Sequence, residues 1–236
     1  MLTKKIIIIS LFLLSVNTYS QSLYLGIGGG MAKVQKNNYY TRDLGYPGAH
    51  YVNGTLTMFG GLAFRKNYFA SIKFKYELSS FGIIAQARYI PFRGRQSAEI
   101  YNLLYMQTIK EDVTTIIDVW SFGFGGRYII DIDKFKPYAA VSLLMNYWGD
   151  TWFRFEFFDQ IVLGRSYKNG MRFGLNFGLG VSYEIMKNVL CEIESNYNYM
   201  NLWNRRKVDP ADELHPSSEE KMNTLNVEFT VYYRIY

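Results

Sequence analysis

The sequence predicts an all-β protein, an antiparallel up-and-down β-barrel that spans a membrane. Three observations lead to this class. Residues 171–185 alternate without a break, so that every odd position is apolar and every even position is polar, charged or glycine. Aromatic residues make up 18 % of the chain. The N-terminus carries two lysines followed by an apolar run, which is typical of an exported protein.

The alternating segment 171–185 is the most informative part of the chain. A period of two places its apolar and polar residues on opposite faces of a β-strand. At ~3.3 Å per residue the strand is about 50 Å long, whereas an ordinary globular strand measures ~20 Å. Tilted by roughly 45°, it would cross a bilayer core of ~30 Å. The face with Arg172 and Glu184 must then meet water or polar groups, and the aromatic face must meet lipid.

Residues 1–20 are predicted to be a secretory signal peptide. Lys4 and Lys5 precede an apolar run from Ile6 to Leu14 and then a small, polar segment. An apolar core of about nine residues is too short for a transmembrane helix. Cleavage after Ser20 would leave residues 21–236 as the barrel domain. Because both signal-peptide charges are lysines, the mature chain keeps only a mild basic excess, and no nucleic-acid partner is expected.

Composition supports the same class. The 21 tyrosines and 17 phenylalanines suit a barrel, which places aromatic girdles at both membrane interfaces. After the signal peptide the chain has no run of 18 apolar residues, so helical spanning is not expected. The single cysteine, Cys191, cannot form an intramolecular disulfide, and alternation places it on the lipid-facing side.

The alternation recurs along the chain and leaves two strand counts open. Ten strands result if 81–91 and 97–109 form a membrane hairpin, and eight result if they form an extracellular excursion. Both counts are even, as barrels of this type require. Ten is preferred because 81–91 alternates well and 100–109 is apolar and β-prone. The strands predicted in the ten-strand version are 23–31, 55–64, 68–78, 81–91, 97–109, 120–130, 137–148, 171–185, 191–199 and 225–236.

Connections between the predicted strands are of two kinds. Short turns are predicted at 65–67, 131–136 and 186–189. Long polar connections are predicted at 33–53, 149–169 and 204–221. Outer-membrane barrels keep short turns on the periplasmic side and longer loops outside, so the first strand should rise from the periplasm.

Charged residues on the polar faces of the strands form the first candidate site. The interior of a barrel of eight to ten strands is about filled by side chains, so charges there must pair or stay hydrated. Six bases and five acids nearly balance, which predicts a salt-bridged core that plugs the lumen. A narrow path for ions or small solutes is the alternative. The predicted lumen charges are Lys73, Lys75, Glu77, Arg88, Arg127, Arg172, Glu184, Glu192, Glu194, Glu228 and Arg234.

An aromatic cluster at 147–158 forms the second candidate site. One interpretation is an interface girdle with strands that project above the membrane, and the alternation of Arg154 and Glu156 with phenylalanines favours such a hairpin. The other interpretation is a docking patch for a partner protein or an apolar ligand, since exposed aromatic clusters mark binding sites. The residues assigned to this patch are Trp148, Trp152, Phe153, Phe155 and Phe157.

No catalytic residue, metal site or cofactor is predicted. The two histidines, His50 and His215, both fall in predicted loops, and the acids Asp209 and Asp212 near His215 belong to a mixed-charge loop. The glycines at 26–30 lack the following helix of a nucleotide loop and are interpreted as facing a narrow lumen or easing the curvature of the strand. An outer-membrane hydrolase is therefore the least favoured function.

Two strand endings, Ala-Arg-Tyr-Ile-Pro at 87–91 and Gly-Arg-Tyr-Ile-Ile at 126–130, accompany the signal peptide and the closing strand that ends on Tyr236. With these features residues 21–236 resemble the small outer-membrane β-barrel proteins of the porin family, of the OmpA and opacity type. The resemblance implies a place in the cell outer membrane of a Gram-negative bacterium, among lipid and lipopolysaccharide. It also implies insertion by the BAM machinery and a structural or accessory role, with an unidentified outer-membrane partner as a further expectation.

Overall fold

The computed structural model describes residues 21–35, 49–52, 55–58, 62–102, 107–155, 160–164, 169–205 and 219–236. The predicted signal peptide lies outside these ranges. Within them, no helix is long and apolar enough to cross a membrane. The strands are β1 (Gln21–Val34), β2 (Ala49–Val52), β3 (Thr55–Met58), β4 (Lys66–Leu78), β5 (Phe81–Asn102), β6 (Gln107–Ile129), β7 (Phe135–Trp148), β8 (Thr151–Phe155), β9 (Gln160–Gly164), β10 (Gly170–Met186), β11 (Val189–Trp203) and β12 (Asn223–Arg234).

Eight of these strands form the wall of a closed antiparallel barrel. Their order around the wall is β1, β4, β5, β6, β7, β10, β11 and β12, so each wall strand pairs with its neighbours along the chain. The barrel closes where β1 pairs with β12, in a register that runs from Tyr24↔Arg234 to Val34↔Thr224. This confirms the predicted fold class and the smaller of the two strand counts. The eight-strand alternative is nevertheless wrong in its assignment, because 81–91 belongs to the wall strand β5 and is not an extracellular excursion.

The ten-strand count is wrong in two places. Residues 97–102 and 107–109 do not form a wall strand, because they belong to β5 and β6, which pair with each other from Phe81↔Tyr128 to Asn102↔Gln107. In the described part of the stretch 55–64 the one strand is β3, which pairs with β2. Both segments contain strands that pair outside the wall, which explains their apolar, β-prone composition. The sequence pattern of such strands does not differ from that of strands that cross the membrane.

Three tight turns lie together at one end of the barrel, which we call the turn end. They occupy 79–80, 130–134 and 187–188, so the turns predicted at 131–136 and 186–189 are confirmed. The turn predicted at 65–67 is wrong, because Arg65 and Lys66 lie at the opposite end, which we call the loop end. The turn at 79–80 was missed since it is a Ser-Ser pair, with Ser79 at φ 52°, rather than the Asn-Gly or Asp-Gly that usually marks such a hairpin.

The outer surface of the wall is an apolar belt bounded by aromatic residues. At the loop end Tyr89, Trp120 and Tyr147 lie in one cross-strand row, with the rings of Tyr89 and Trp120 4.8 Å apart. At the turn end the ring centres of Phe135 and Tyr183 lie 4.8 Å apart. From Tyr147 to Phe135 the strand runs about 40 Å at ~3.3 Å per residue, or ~30 Å along the axis at a tilt of ~40°. This matches a hydrocarbon core of ~30 Å.

The β5–β6 hairpin continues past the loop-end aromatic row, and its outer face changes character there. Beyond Tyr89 and Trp120 the outer face carries ion pairs, with Arg93 bound to Asp118 at 2.8 Å and Arg95 bound to Asp112 at 3.3 Å. The hairpin is extended sideways by β2–β3 on the edge of β5 and by β8–β9 on the edge of β6. The change from aromatic to charged residues marks the edge of the lipid-facing surface.

Candidate functional site

The structure brings most of the predicted lumen charges together inside the barrel. Glu184 and Arg234 are the exceptions, since both are half-buried at the turn end. The other nine side chains are buried: Lys73, Lys75, Glu77, Arg88, Arg127, Arg172, Glu192, Glu194 and Glu228. Their strands belong to opposite sides of the wall, so the side chains meet across the lumen.

Glu192 on β11 is the centre of this network. Its carboxylate lies 2.9 Å from the Arg127 guanidinium on β6 and 3.6 Å from the Lys75 ammonium on β4. The Ser182 hydroxyl donates to it at 2.9 Å, and the Tyr232 hydroxyl donates at 3.1 Å. Glu192 therefore has a partner on nearly every side, which a buried carboxylate requires in order to stay charged.

A second group of charges surrounds Lys73. Its ammonium lies 2.7 Å from Glu194 and 3.1 Å from Glu228. The far oxygen of Glu228 accepts from the Ser71 hydroxyl at 2.5 Å, and Arg88 donates to its other oxygen at 2.7 Å. The two groups are linked, because Lys73 also lies 4.0 Å from Glu192.

The two groups together are electrically balanced. Four cations, Lys73, Lys75, Arg88 and Arg127, face four carboxylates, Glu77, Glu192, Glu194 and Glu228. Each cation lies within 3.1 Å of at least one of these carboxylates. Removing one charge from such a network leaves its partner buried and uncompensated. Loss of any one of these side chains is therefore costly.

Three tyrosines pack around the cations, and a prediction based on charged residues alone does not include them. The Lys75 ammonium lies 4.7 Å from the ring centre of Tyr24 and 4.3 Å from that of Tyr232. The Arg127 guanidinium lies 4.0 Å from that of Tyr138. Such cation–π contacts stabilise buried cations further. The sequence could have indicated these three tyrosines, because alternation places each of them on the inner face of its strand.

Glycine at position 26 makes room for one of these rings. A β-carbon on Gly26 would lie 2.5 Å from the ring of Tyr232, its partner across the β1–β12 seam. The lumen-facing interpretation of this glycine agrees with that contact. Small residues here allow large side chains from the opposite strand to fill the lumen.

An asparagine layer lies next to the charged groups, toward the loop end. The Asn176 amide donates to Asn196 at 2.9 Å and to Asn198 at 2.6 Å. The Asn198 amide in turn donates to the Thr224 hydroxyl at 3.2 Å. These groups are all buried, so hydrogen bonds between side chains replace those that water would otherwise supply.

The loop end of the lumen is filled by apolar side chains, which we call the apolar cap. They come from wall strands, from the protruding part of β5 and β6, and from the segments just before β4 and β12. The cap comprises Ala32, Val34, Leu62, Phe64, Phe69, Ile90, Phe92, Val113, Ile117, Val119, Leu144, Trp148, Met200 and Met222. These buried apolar side chains occupy the space between the asparagine layer and the loop end, beside buried polar residues such as Asn146 and Thr115.

Arg172 pairs with Glu219, a residue that the sequence did not indicate. Both Glu219 carboxylate oxygens accept from Arg172 Nε, at 2.9 and 3.0 Å. Asn201 donates to the same carboxylate at 3.1 Å, and the Arg172 guanidinium lies 4.8 Å from the Trp148 ring. Glu219 falls in the long polar connection predicted at 204–221, but it is fully buried. The one sequence signal of this pair is that the predicted lumen charges contain one base more than they contain acids. A base such as Arg172 therefore needs an acid from a loop.

The aromatic cluster divides between the inside and the outside of the barrel. The assignment of Trp148 to an exposed patch is wrong, because its side chain is 1 % exposed and belongs to the apolar cap. Trp152 is 39 % exposed on the protruding hairpin. The backbone of Phe153 and Phe155 lies on β8, opposite Thr115 and Val113, while Phe157 lies outside the described residues. The hairpin predicted from the alternation is present as β8–β9.

The histidine positions need one correction. His50 does not lie in a loop, because it is on β2, in register with Thr57 on β3 and Tyr101 on β5. This strand belongs to the extension and not to the wall. Asp209, Asp212 and His215 lie outside the described residues.

Comparisons with known proteins agree with this architecture. No protein-family model matches the chain, and no curated protein matches its sequence. The crystal structure of Neisserial surface protein A (NspA) is similar, at 15 % identity over 91 % of this chain and 98 % of that chain, with a TM-score of 0.50. A major outer membrane protein from Thermus thermophilus is similar at 9 % identity over 92 % of this chain and 100 % of that chain, also with a TM-score of 0.50.

The fold is therefore that of a small outer-membrane β-barrel, and the expected resemblance is confirmed at the level of fold. The apolar belt gives the physical reason for an outer-membrane location. Wall residues such as Leu179, Phe124 and Ile193 expose most of their side chains, which only lipid can cover at low cost. A closed barrel also leaves no strand edge unpaired in the hydrocarbon region.

Proposed function

We propose that the protein is an integral outer-membrane barrel of a Gram-negative bacterium with a structural or accessory role. In this proposal it is inserted by the BAM machinery, with the loop end outside the cell. It has no enzymatic activity, and its lumen is closed to solutes.

A single observation carries the closed lumen: successive layers of buried side chains fill it. The balanced charge network occupies one level, the asparagine layer occupies the next, and the apolar cap lies at the loop end. An ion that entered would have to displace paired buried charges at the first level and cross the packed apolar cap at the last. Both steps are costly, because a buried ion without a partner loses its hydration without compensation.

A second candidate function is binding through the protruding hairpin. It is favoured by the reach of β5 and β6, which continue well past the aromatic row that marks the edge of the belt. Trp152 on β8 gives this extension an exposed aromatic side chain. A barrel that held a partner there would need no open lumen.

Planar-bilayer recording tests the proposed function. The purified mature chain is expected to insert without a large stable conductance, because the network and the cap close the path. A porin of known conductance, added to the same bilayer, controls for insertion and recording. A large stable conductance would contradict the closed lumen. A silent barrel that retains an outer-membrane partner in a pull-down, and loses it on Trp152→Ala, would favour the second candidate.

A further inference from the structure

A short segment just before β12 enters the lumen, although it belongs to no strand. It comprises residues 219–222, which we call the strap, and β12 begins at the next residue, Asn223. Glu219 and Met222 are both fully buried, whereas Lys221 between them is exposed. Met222 belongs to the apolar cap, so the strap closes part of the loop end.

A bulge in β11 supplies the side chain that holds the strap. Between two successive register pairs of β10 and β11, three residues of β11 lie opposite Gly174 alone. The alternation therefore breaks, and the neighbouring side chains of Met200 and Asn201 both enter the lumen, each 1 % exposed. A β-carbon at Gly174 would collide with the Tyr199 carbonyl, so the bulge requires glycine there. Bulges of this kind re-aim side chains next to functional sites.

Asn201 binds the strap along its whole length. Its amide nitrogen donates to the Glu219 carboxylate at 3.1 Å and to the Glu220 carbonyl at 2.8 Å. Its amide oxygen accepts from the Met222 backbone N–H at 2.7 Å. The Met200 N–H donates to the Met222 carbonyl at 2.9 Å, which joins the end of the strap to β11. For Glu219 and Glu220, the hydrogen bonds of one side chain thus take the place of a strand ladder.

The charge on Glu219 is balanced from the wall. Arg172 on β10 donates to its carboxylate at 2.9 and 3.0 Å. Arg88 and Glu228 form a second buried pair, at 2.7 Å, but there both residues belong to wall strands whose ladders hold them. Glu219 differs, because its backbone lies on the strap. Without Arg172 its carboxylate can regain water by moving outward, which Glu228 cannot do.

We propose that the strap is a releasable lid on the loop end of the barrel, held shut by Arg172 and Asn201. In the closed state it shields the apolar cap from the outside. In the released state Met222 and the neighbouring cap residues are exposed, while the charge network farther down keeps the lumen closed. The inference goes beyond the proposed function, because it gives a barrel with a closed lumen a second state at its loop end.

The test is thiol labelling of Met222→Cys in a Cys191→Ala background, on the folded mature chain, with a small membrane-impermeant maleimide. In this parent variant the thiol should react far more slowly than Ser97→Cys on the exposed face of the protruding hairpin. Adding Arg172→Gln should raise the labelling rate by roughly tenfold or more, because it leaves the Glu219 carboxylate buried without its cation. Heat-modifiable gel mobility checks that each variant is folded.

Two controls separate release of the strap from a general loosening of the barrel. Arg88→Gln also takes a buried arginine from its glutamate, but it should leave the labelling of Met222→Cys unchanged, because Glu228 is fixed in β12. Arg172→Gln combined with Glu219→Gln should return the labelling rate toward that of the parent variant, since no uncompensated charge remains.

Asn201→Ala is a second route to release, and it carries the test if Arg172→Gln does not fold. It removes three hydrogen bonds to the strap and should also speed the labelling of Met222→Cys. Unchanged labelling in both variants would overturn the inference, and so would an equal rise in Arg88→Gln or no recovery in the double variant.

Two further results bear on the closed state. Labelling of the parent variant as fast as that of Ser97→Cys would show that the strap is not closed, and would overturn the inference. Rapid labelling of Ser71→Cys in the Arg172→Gln background would show that the whole lumen opens, which contradicts a lid confined to the loop end. A conducting wild-type barrel whose strap responds as expected would refute only the closed lumen.

Discussion

Deletion of Leu225–Tyr236 is expected to abolish stable insertion and to cause degradation in the periplasm. These residues form most of β12, which pairs with β1 on one side and with β11 on the other. Their loss would leave two strand edges unpaired in lipid, where each unsatisfied backbone group costs several kcal/mol. The deletion would also remove Glu228 and Tyr232 from the lumen, which leaves Arg88 without its carboxylate.

Membrane fractionation and heat-modifiable gel mobility measure this outcome. The matched control is deletion of residues 49–58, which removes a hairpin that pairs with the protruding end of β5 and not with the wall. That variant should still reach the outer membrane in heat-modifiable form. If the chain without 225–236 did the same, the closing strand would be dispensable and the register of the seam would be wrong.

The substitution Glu192→Gln is expected to lower the free energy of unfolding by about 3–5 kcal/mol. The amide cannot balance Arg127 and Lys75, which lie 2.9 and 3.6 Å from the carboxylate and are themselves buried. Breaking one partner of a buried ionic network costs more than the network contributes as a whole, because charges remain without compensation.

Urea unfolding of the barrel in lipid vesicles measures the effect of Glu192→Gln. Glu184→Gln is the matched control, since Glu184 is half-buried at the turn end and its loss should have a small effect. Adding Arg127→Met to Glu192→Gln should recover part of the lost stability, because the uncompensated guanidinium is then removed. Equal stability of wild type and Glu192→Gln would show that the lumen is hydrated.

The sequence predicts which side chains face the lumen and which face the lipid, because successive residues of a β-strand point to opposite faces. Arg127 and Glu192 were assigned to the interior from alternation alone, and the structure places both there. Their pairing could not be predicted, since it depends on which strands meet across the lumen and at which height. The 65 residues that separate Arg127 from Glu192 in the chain carry no local signal of a contact.

The other differences between the predictions and the structure all concern residues near the loop end of the barrel. Alternation describes any strand with two unlike faces, so 97–109 looked like a membrane strand although it forms the arms of the protruding hairpin. Grouping Trp148 with the exposed aromatics because they are near in sequence overlooks the alternation of 137–148, which places Tyr147 on the outer face and Trp148 on the inner face. Glu219 was missed because a loop acid among other charges resembles solvated sequence until its buried partner, Arg172, is placed.

The central claim, a lumen filled with side chains, is tested most directly by thiol labelling of Ser71→Cys in a Cys191→Ala background. Ser71 is buried beside Glu228, whereas Ser97→Cys on the exposed face of the protruding hairpin provides the matched accessible site. With a small, water-soluble, membrane-impermeant maleimide, the folded barrel should react at position 97 and not at position 71, and unfolding in urea should expose both. Rapid labelling of position 71 in the folded barrel would contradict the filled lumen and would indicate a water path through it.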